Sequence, residues 1–241
     1  MKEKKLLVSV NNISRSYGKI PAIENITFDI HRGEVLGLLG PNGAGKSTAM
    51  QIISGVISAN SGSVNICGSD IQDFPKLAKK NIGFLSEQLP LYNDLTIDEY
   101  LFYTAKLRGI KKIDIEKKVN FCKKRCGLED FGSRLIQNLS KGFRQRVGVA
   151  QAIVHTPPII ILDEPTSGLD PQQILEIRSL MQELRKDHSI ILSTHILSEV
   201  EAMCDRVLII NKGNIVLDRR LKELLTNEDS LESIFMQLTK K

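Results

Sequence analysis

The chain has 241 residues, enough to bury a sizeable core as one domain or as one domain with a lobe. Its 41% hydrophobic and 25% charged residues are ordinary for a globular protein. No apolar run approaches the ~18 residues of a membrane span, so work at a membrane calls for a partner chain.

The formal charge of +5 is mildly basic. The basic clusters Lys2–Lys5, Lys111–Lys124 and Lys240–Lys241 read as solvated faces near anionic lipid or acidic loops rather than a nucleic-acid stripe. The start is basic, but only Leu6–Val8 are consecutively apolar, too short for a secretory core. Four cysteines, Cys67, Cys122, Cys126 and Cys204, form neither a C-x-x-C motif nor a disulfide framework, as expected in a reducing cytosol. Cys122 and Cys126 share a helical stripe with Ile115 and Val119, which predicts core packing rather than metal ligation.

Strand-like runs at Leu6–Val10 and Ala22–Ile30 flank turns at Tyr17–Lys19 and His31–Gly33. Glu34–Leu39 is a buried-strand run entering a glycine loop, and Lys46–Ser54 reads as a short helix stopped by Gly55. Thr96 and Glu99 form a capping-box pattern opening a helix that ends by Gly109. Asp114–Cys126 is a second helix stopped by Gly127, and a third runs from Ser140 to about Val154. Three helices with no strand among them predict a helical lobe, roughly residues 90–155, inserted in a strand–helix alternation. The alternation resumes with strand Ile159–Leu162, helix Pro171–Lys186, strand Ser189–Ser193 and helix Ile196–Cys204. Val207–Ile210 and Asn214–Leu217 form a strand pair, and Leu221–Leu238 a helical tail. The continuous apolar runs predict a mostly parallel, buried sheet.

Gly40-x-x-x-x-Gly45-Lys46-Ser47 fits the P-loop pattern, with a buried strand before it and a helix after it. Its glycines let backbone N–H groups curl around phosphate, and the helix start adds its positive dipole. Lys46 is placed for the β- and γ-phosphates, and the Ser47 hydroxyl for Mg²⁺. The spacing of Gly40, Gly43 and Gly45 excludes G-x-G-x-x-G. Ile159–Leu162 then ends in Asp163 and Glu164, two carboxylates that need a reason to close an apolar strand. Mg²⁺ supplies one for Asp163. Alternation along the strand points Glu164 to the other face, either to orient or deprotonate a water or to close a salt bridge. His195 ends a third apolar strand, and three such polar strand ends can converge on one nucleotide.

In order and spacing, Val8–Leu217 resembles the ATP-binding cassette (ABC) family of ATPases. Gly40–Ser47 resembles Walker A, Ile159–Glu164 Walker B, Ser167–Asp170 the D-loop and His195 the switch histidine. Leu139-Ser140-Lys141-Gly142-Phe143-Arg144-Gln145 resembles the signature Leu-Ser-Gly-Gly-Gln, with Lys141 and Phe143 departing from it. The resemblance implies an α/β P-loop ATPase fold with a mostly parallel core, an N-terminal antiparallel β subdomain and the inserted helical lobe. It implies a single domain over residues 1–220 and a helical tail over 221–241.

It also implies ATP and Mg²⁺ as ligands, with Gly40, Pro41, Asn42, Gly43, Ala44, Gly45, Lys46, Ser47 and Thr48 on the nucleotide. Glu164, His195 and Gln88 are the implied catalytic set; Ser47, Gln88 and Asp163 the metal side. Tyr17 matches the aromatic that stacks on adenine, or is an ordinary hairpin aromatic. Ser140 and Gly142 would touch the γ-phosphate of an opposing subunit, with Lys141 beside it or turned to solvent, and Asp170 in the D-loop. Phe143 would anchor its helix in the lobe.

One copy of each motif implies a head-to-tail dimer with a second ABC ATPase subunit, a homodimer by expectation. Leu85–Leu101 and the Leu231–Phe235 tail resemble exporter ATPases of the drug, gliding-motility and polysaccharide type. That implies a separate membrane permease seated near Gln88–Tyr100 and a cytoplasmic location, peripheral on the inner face of the membrane. Nucleic acid is not expected. The alternative is a non-transport ABC ATPase acting on ribosomes or nucleic acid.

Overall fold

The computed structural model describes residues 5–224 and 230–240. It opens with a hairpin of β1 (Leu6–Tyr17) and β2 (Ile20–His31). Both strands outrun their apolar patterns because register shifts carry the ladder through the polar stretch after Val10. β3 (Val35–Leu39) leads through the glycine loop into α1 (Lys46–Ile53). The next four elements have weak sequence signatures: β4 (Ser61–Ile66), β5 (Ser69–Asp70), α2 (Pro75–Lys80) and β6 (Ile82–Leu85). β4 carries only Val64 and Ile66 as apolar residues, and β6 is four residues long with a glycine inside. Gly83 is required there, since a Cβ would collide with the carbonyl of Ala152.

The helical stretch consists of α3 (Ile97–Leu107), α4 (Lys112–Cys126) and α5 (Lys141–Ile153), packed on one another. The capping box forms as predicted: Glu99 N–H donates to Thr96 Oγ1, and Thr96 N–H to Glu99 Oε2. α4 ends at Gly127 with φ +64°, and Cys122 and Cys126 are fully buried on its inner stripe. Then follow β7 (Ile159–Asp163), α6 (Pro171–Leu184), β8 (Ser189–Thr194), α7 (Leu197–Met203), β9 (Arg206–Asn211) and β10 (Asn214–Arg220). The tail holds α8 (Leu221–Leu224) and α9 (Leu231–Thr239), whose Leu231 is fully buried. The predicted lead-in Met1–Lys4 and the middle of the predicted tail helix, 225–229, lie outside the described residues.

Two sheets result. One is antiparallel in the order β2-β1-β4-β5; the other has the order β10-β9-β3-β8-β7-β6, parallel except for the edge strand β10. β3, β7 and β8 are buried along their whole length, as strands covered on both faces must be. Side-chain alternation divides the core in two. Leu36, Leu38, Ile159, Ile161 and Ile191 pack with the antiparallel sheet and α1. Val35, Leu39, Ile160, Leu162, Ile190 and Leu192 pack with α3–α7. The carboxyl ends of β3, β7 and β8 therefore open at one edge between two packed layers. Among the described residues no helix is long and apolar enough to cross a membrane.

Candidate nucleotide site

The glycine loop wraps the start of α1. Gly43 and Gly45 hold φ of +78° and +107°, which side-chain-bearing residues rarely adopt. A Cβ on Gly45 would also stand 2.6 Å from the carbonyl of Ala22. Gly45 is the N-cap of α1 and offers no side chain to its N–H groups, which leaves them for an anion. Ala44 fixes the loop from beneath, its carbonyl accepting from Gly213 N–H.

A cleft of about 370 Å³ opens beside this loop. Asn42, Gly43, Gly45, Lys46, Ser47 and Thr48 line one side; Glu164, Ser167 and His195 line another. Lys46 is only 5% exposed. Its ammonium donates to the carbonyls of Gly40 at 2.8 Å and Pro41 at 3.3 Å, and stands 3.3 Å from Glu164 Oε1. The second Glu164 oxygen, Oε2, lies 2.9 Å from His195 Nδ1. Glu164 is thus held between a lysine and the histidine, with one oxygen on each.

Sequence alternation predicts Glu164 on the face opposite Asp163; the structure departs from this. β7 ends at Asp163, and Glu164 takes φ +48°, a left-handed conformation that turns its carboxylate back to the cleft. Ser193, fully buried on β8, holds this bend: its hydroxyl accepts from Glu164 N–H at 2.9 Å and donates to Asp163 Oδ1 at 2.6 Å. Asp163 also accepts from Ser47 Oγ at 3.1 Å. Burial pushes the Asp163 pKa up, and the charges of Glu87 and Glu164 add to that; the hydroxyls of Ser193 and Ser47 oppose it. An all-oxygen pair of hydroxyl and buried carboxylate fits Mg²⁺.

Gln88 departs from expectation. It is exposed and lies off the cleft, while Glu87, one residue earlier, lines it. β6 ends at Leu85, and Ser86 Oγ donates to the Gln88 carbonyl at 2.5 Å, a turn that swings Gln88 outward. Tyr17 is 50% exposed at the hairpin tip, with the Arg15 guanidinium 5.3 Å from its ring centre.

The signature residues form a separate place. Ser140, Gly142 and Asp170 line a cavity of about 220 Å³ between the starts of α5 and α6, with no lining residue shared with the first cleft. Ser140 caps α5 through a 3.4 Å bond from Phe143 N–H, and Asp170 caps α6 through a 2.9 Å bond from Gln173 N–H. Lys141 is exposed, and its ammonium lies over Gly168, in the space a Cβ there would take. Phe143 anchors the helix as expected, its ring centre 4.7 Å from that of Phe131. Glu87, Ser193 and Thr194 are absent from the sequence-based set, and Ser167 entered it only as the first residue of the D-loop. Polar residues closing an apolar strand were the available signal for Ser193 and Thr194.

A glycine loop that meets a lysine, two carboxylates and a histidine at parallel strand ends defines a nucleotide-binding P-loop protein. The ABC transporter family profile matches residues 23–167. The lantibiotic transport ATP-binding protein SrtF of Streptococcus pyogenes is 34% identical over 229 residues, covering 92% of this chain and 97% of its own. Two solved structures also match. An ATP-binding subunit of an ABC transporter aligns with TM-score 0.86 at 32% identity, covering 97% of this chain and 100% of its own. MJ0796, a bacterial ABC transporter cassette described as dimeric, aligns with TM-score 0.80 at 26% identity, covering 89% and 99%. The chain belongs to the ABC transporter family, as an ATP-binding subunit with the ABC ATPase fold.

Proposed function

We propose that the chain hydrolyses Mg²⁺·ATP in two composite sites of a head-to-tail dimer and so drives a separate membrane permease. The carrying observation is the separation of the two phosphate-shaped helix starts: α1 and α5 serve different cavities of the same chain. A signature that lines none of its own P-loop cleft is suited to another subunit's, and C2 symmetry then makes two equal sites. MJ0796 is described as dimeric, in accord with this reading.

The apo contacts suggest how the cleft works. Lys46 rests on two carbonyls and Glu164. A triphosphate is a stronger partner for its ammonium, so binding withdraws Lys46 from Glu164 and frees Oε1. His195 still holds Oε2. Glu164 is then an oriented carboxylate with one free oxygen, placed to accept a proton from water attacking in line. The other ring nitrogen of His195 remains for the γ-phosphate. Ser47 and Asp163 would hold Mg²⁺, with the Glu87 carboxylate on the same side; the ion would neutralise phosphate charge. Tyr17, exposed at the hairpin tip, serves as the adenine platform in this reading.

Residues 1–220 act as the ATPase domain, with the helices near 90–155 as its lobe and 221–241 as its tail. The permease seat lies beside Gln88–Tyr100. Tyr92 and Tyr103 are 54% and 41% exposed there and meet edge-on with ring centres 5.7 Å apart, an apolar patch for a coupling segment. That seat puts the protein on the cytoplasmic face of a membrane. SrtF is named for lantibiotic transport, and export is the direction we infer. Transport is preferred to action on ribosomes or nucleic acid because the family match and SrtF are both named for it.

Glu164→Gln tests the reading. Turnover is expected to fall by about 10²–10⁴-fold while ATP binding persists, and the variant accumulates as an ATP-bound dimer in size-exclusion chromatography. Normal turnover by this variant would contradict the general-base role.

A further inference from the structure

β8 delivers three polar residues in a row to the cleft edge, Ser193, Thr194 and His195, and only His195 lines the cleft. Thr194 is fully buried. Its hydroxyl donates to Glu199 Oε2 at 2.6 Å and accepts from the backbone N–H of Ile196 at 3.0 Å. A hydroxyl has one proton to give, so the Glu199 carboxylate fixes its direction and leaves a lone pair for Ile196. The two residues flanking His195 are thereby tied to each other through one side chain. Ile196 is the N-cap of α7 and caps nothing itself, so this bond also sets where the helix starts.

Glu199 sits in the first turn of α7 with no exposed surface. Its second oxygen, Oε1, is buried without a hydrogen-bond partner among the described residues. A buried carboxylate with one hydrogen bond is costly, and an apolar residue of similar size would fill the place more cheaply. What the carboxylate secures is the direction of the Thr194 hydroxyl, and through it the turn carrying His195. α7 itself is braced on α6, with Arg178 bonded to Ser198 Oγ and Gln182 to the Ala202 carbonyl. The clamp is therefore anchored to a helix whose N-cap is Asp170.

We propose that Thr194 and Glu199 are positioning residues for His195, locking the Thr194–Ile196 turn so that the imidazole holds Glu164 at one nitrogen and meets the γ-phosphate with the other. This rests on the reading of His195 as a γ-phosphate contact, and one set of variants separates the two ideas. ATP turnover, KM and thermal midpoint are measured on the full chain. Thr194→Val is expected to lower kcat about 10-fold, with KM for ATP within about twofold of wild type. Thr194→Ser, which keeps the hydroxyl, restores kcat to within about threefold. Glu199→Gln keeps an acceptor oxygen and follows the serine variant, whereas Glu199→Leu follows the valine variant.

In a His195→Ala background, Thr194→Val should change kcat by less than about twofold, because the residue acts through the ring. Equal slowing by Thr194→Val in both backgrounds, with a lowered thermal midpoint, overturns the positioning role in favour of a structural one. If Thr194→Val does not fold, the Glu199→Gln and Glu199→Leu pair carries the same comparison. A slow His195→Ala beside a fully active Thr194→Val overturns the clamp alone. Wild-type turnover by His195→Ala overturns the γ-phosphate reading and the clamp with it.

Discussion

α1 and α5 both begin at polar loops, yet their first turns are furnished differently. α1 starts at Gly45 with uncapped N–H groups and carries its own cation, Lys46, and hydroxyl, Ser47. Lys46 is already engaged there, in the chain Lys46–Glu164–His195. α5 starts at Ser140, whose hydroxyl is engaged, among the described residues, by a long bond from Phe143 N–H. Of the charges in its cavity, Arg146 and Glu176 are paired with each other at 2.7 Å and Asp170 is engaged in capping α6, while Lys141 lies against Gly168. One start is built to grip an anion alone; the other offers a dipole and neutral donors and suits an anion that another surface already holds. That asymmetry is the physical basis for dividing the site between subunits.

The largest effect separating the two is expected at the gripping end. Lys46→Ala should weaken ATP binding and abolish turnover, a loss of at least about 100-fold in kcat/KM, read by nucleotide titration and phosphate release. At the covering end, Ser140→Arg should leave ATP binding near wild type. It should abolish ATP-driven dimerisation and lower turnover by about 10-fold or more, because a bulky cation then fills the start of α5.

Tyr17→Ala should raise the ATP dissociation constant about 5- to 10-fold without touching GTP and ATP differently in turnover. A half-exposed ring places this at the low end of stacking energies.

The smallest effect concerns stability. The Asp163 pKa is raised in the fold, so the stability this group contributes is present below the unfolded carboxylate pKa and is lost as pH rises through the folded value. Ionised Asp163 therefore weighs against the nucleotide-free fold at neutral pH. Asp163→Asn keeps the acceptor for Ser47 and Ser193 and removes the charge. Its apo thermal midpoint should rise by about 2–4 °C at pH 7, with the gain fading toward pH 4, while turnover is lost.

Local rules made much of this legible before any coordinates. The glycine loop, the buried runs of β3, β7 and β8, the Thr96–Glu99 box and the Gly127 stop each rest on neighbours in sequence, and each forms as expected. What the sequence hides is side-chain direction where a strand gives way to a loop. A single left-handed residue brings Glu164 to the cleft, and one serine–carbonyl turn sends Gln88 out of it and leaves Glu87 in its place. Thr194 and Glu199 escaped for a related reason. Inside an apolar strand and a short helix they look like isolated polar residues, and only their 2.6 Å contact joins them. β4 and β6 were hidden because a strand with only two apolar residues and one of four residues with a glycine inside depend on tertiary partners.

The central claim is that the P-loop of one subunit works with the signature of the other, and mixing two crippled subunits tests it most directly. Alone, Lys46→Ala chains are expected to be inactive and Ser140→Arg chains to keep at most about a tenth of wild-type turnover. A mixed dimer places both lesions in one composite site and leaves the other site with an intact P-loop and an intact signature. Equal mixing should restore ATP turnover to about a quarter of wild type, since half the dimers are mixed and each has one working site. A mixture no more active than the average of its two components, with no ATP-dependent dimer in solution, would contradict the shared site.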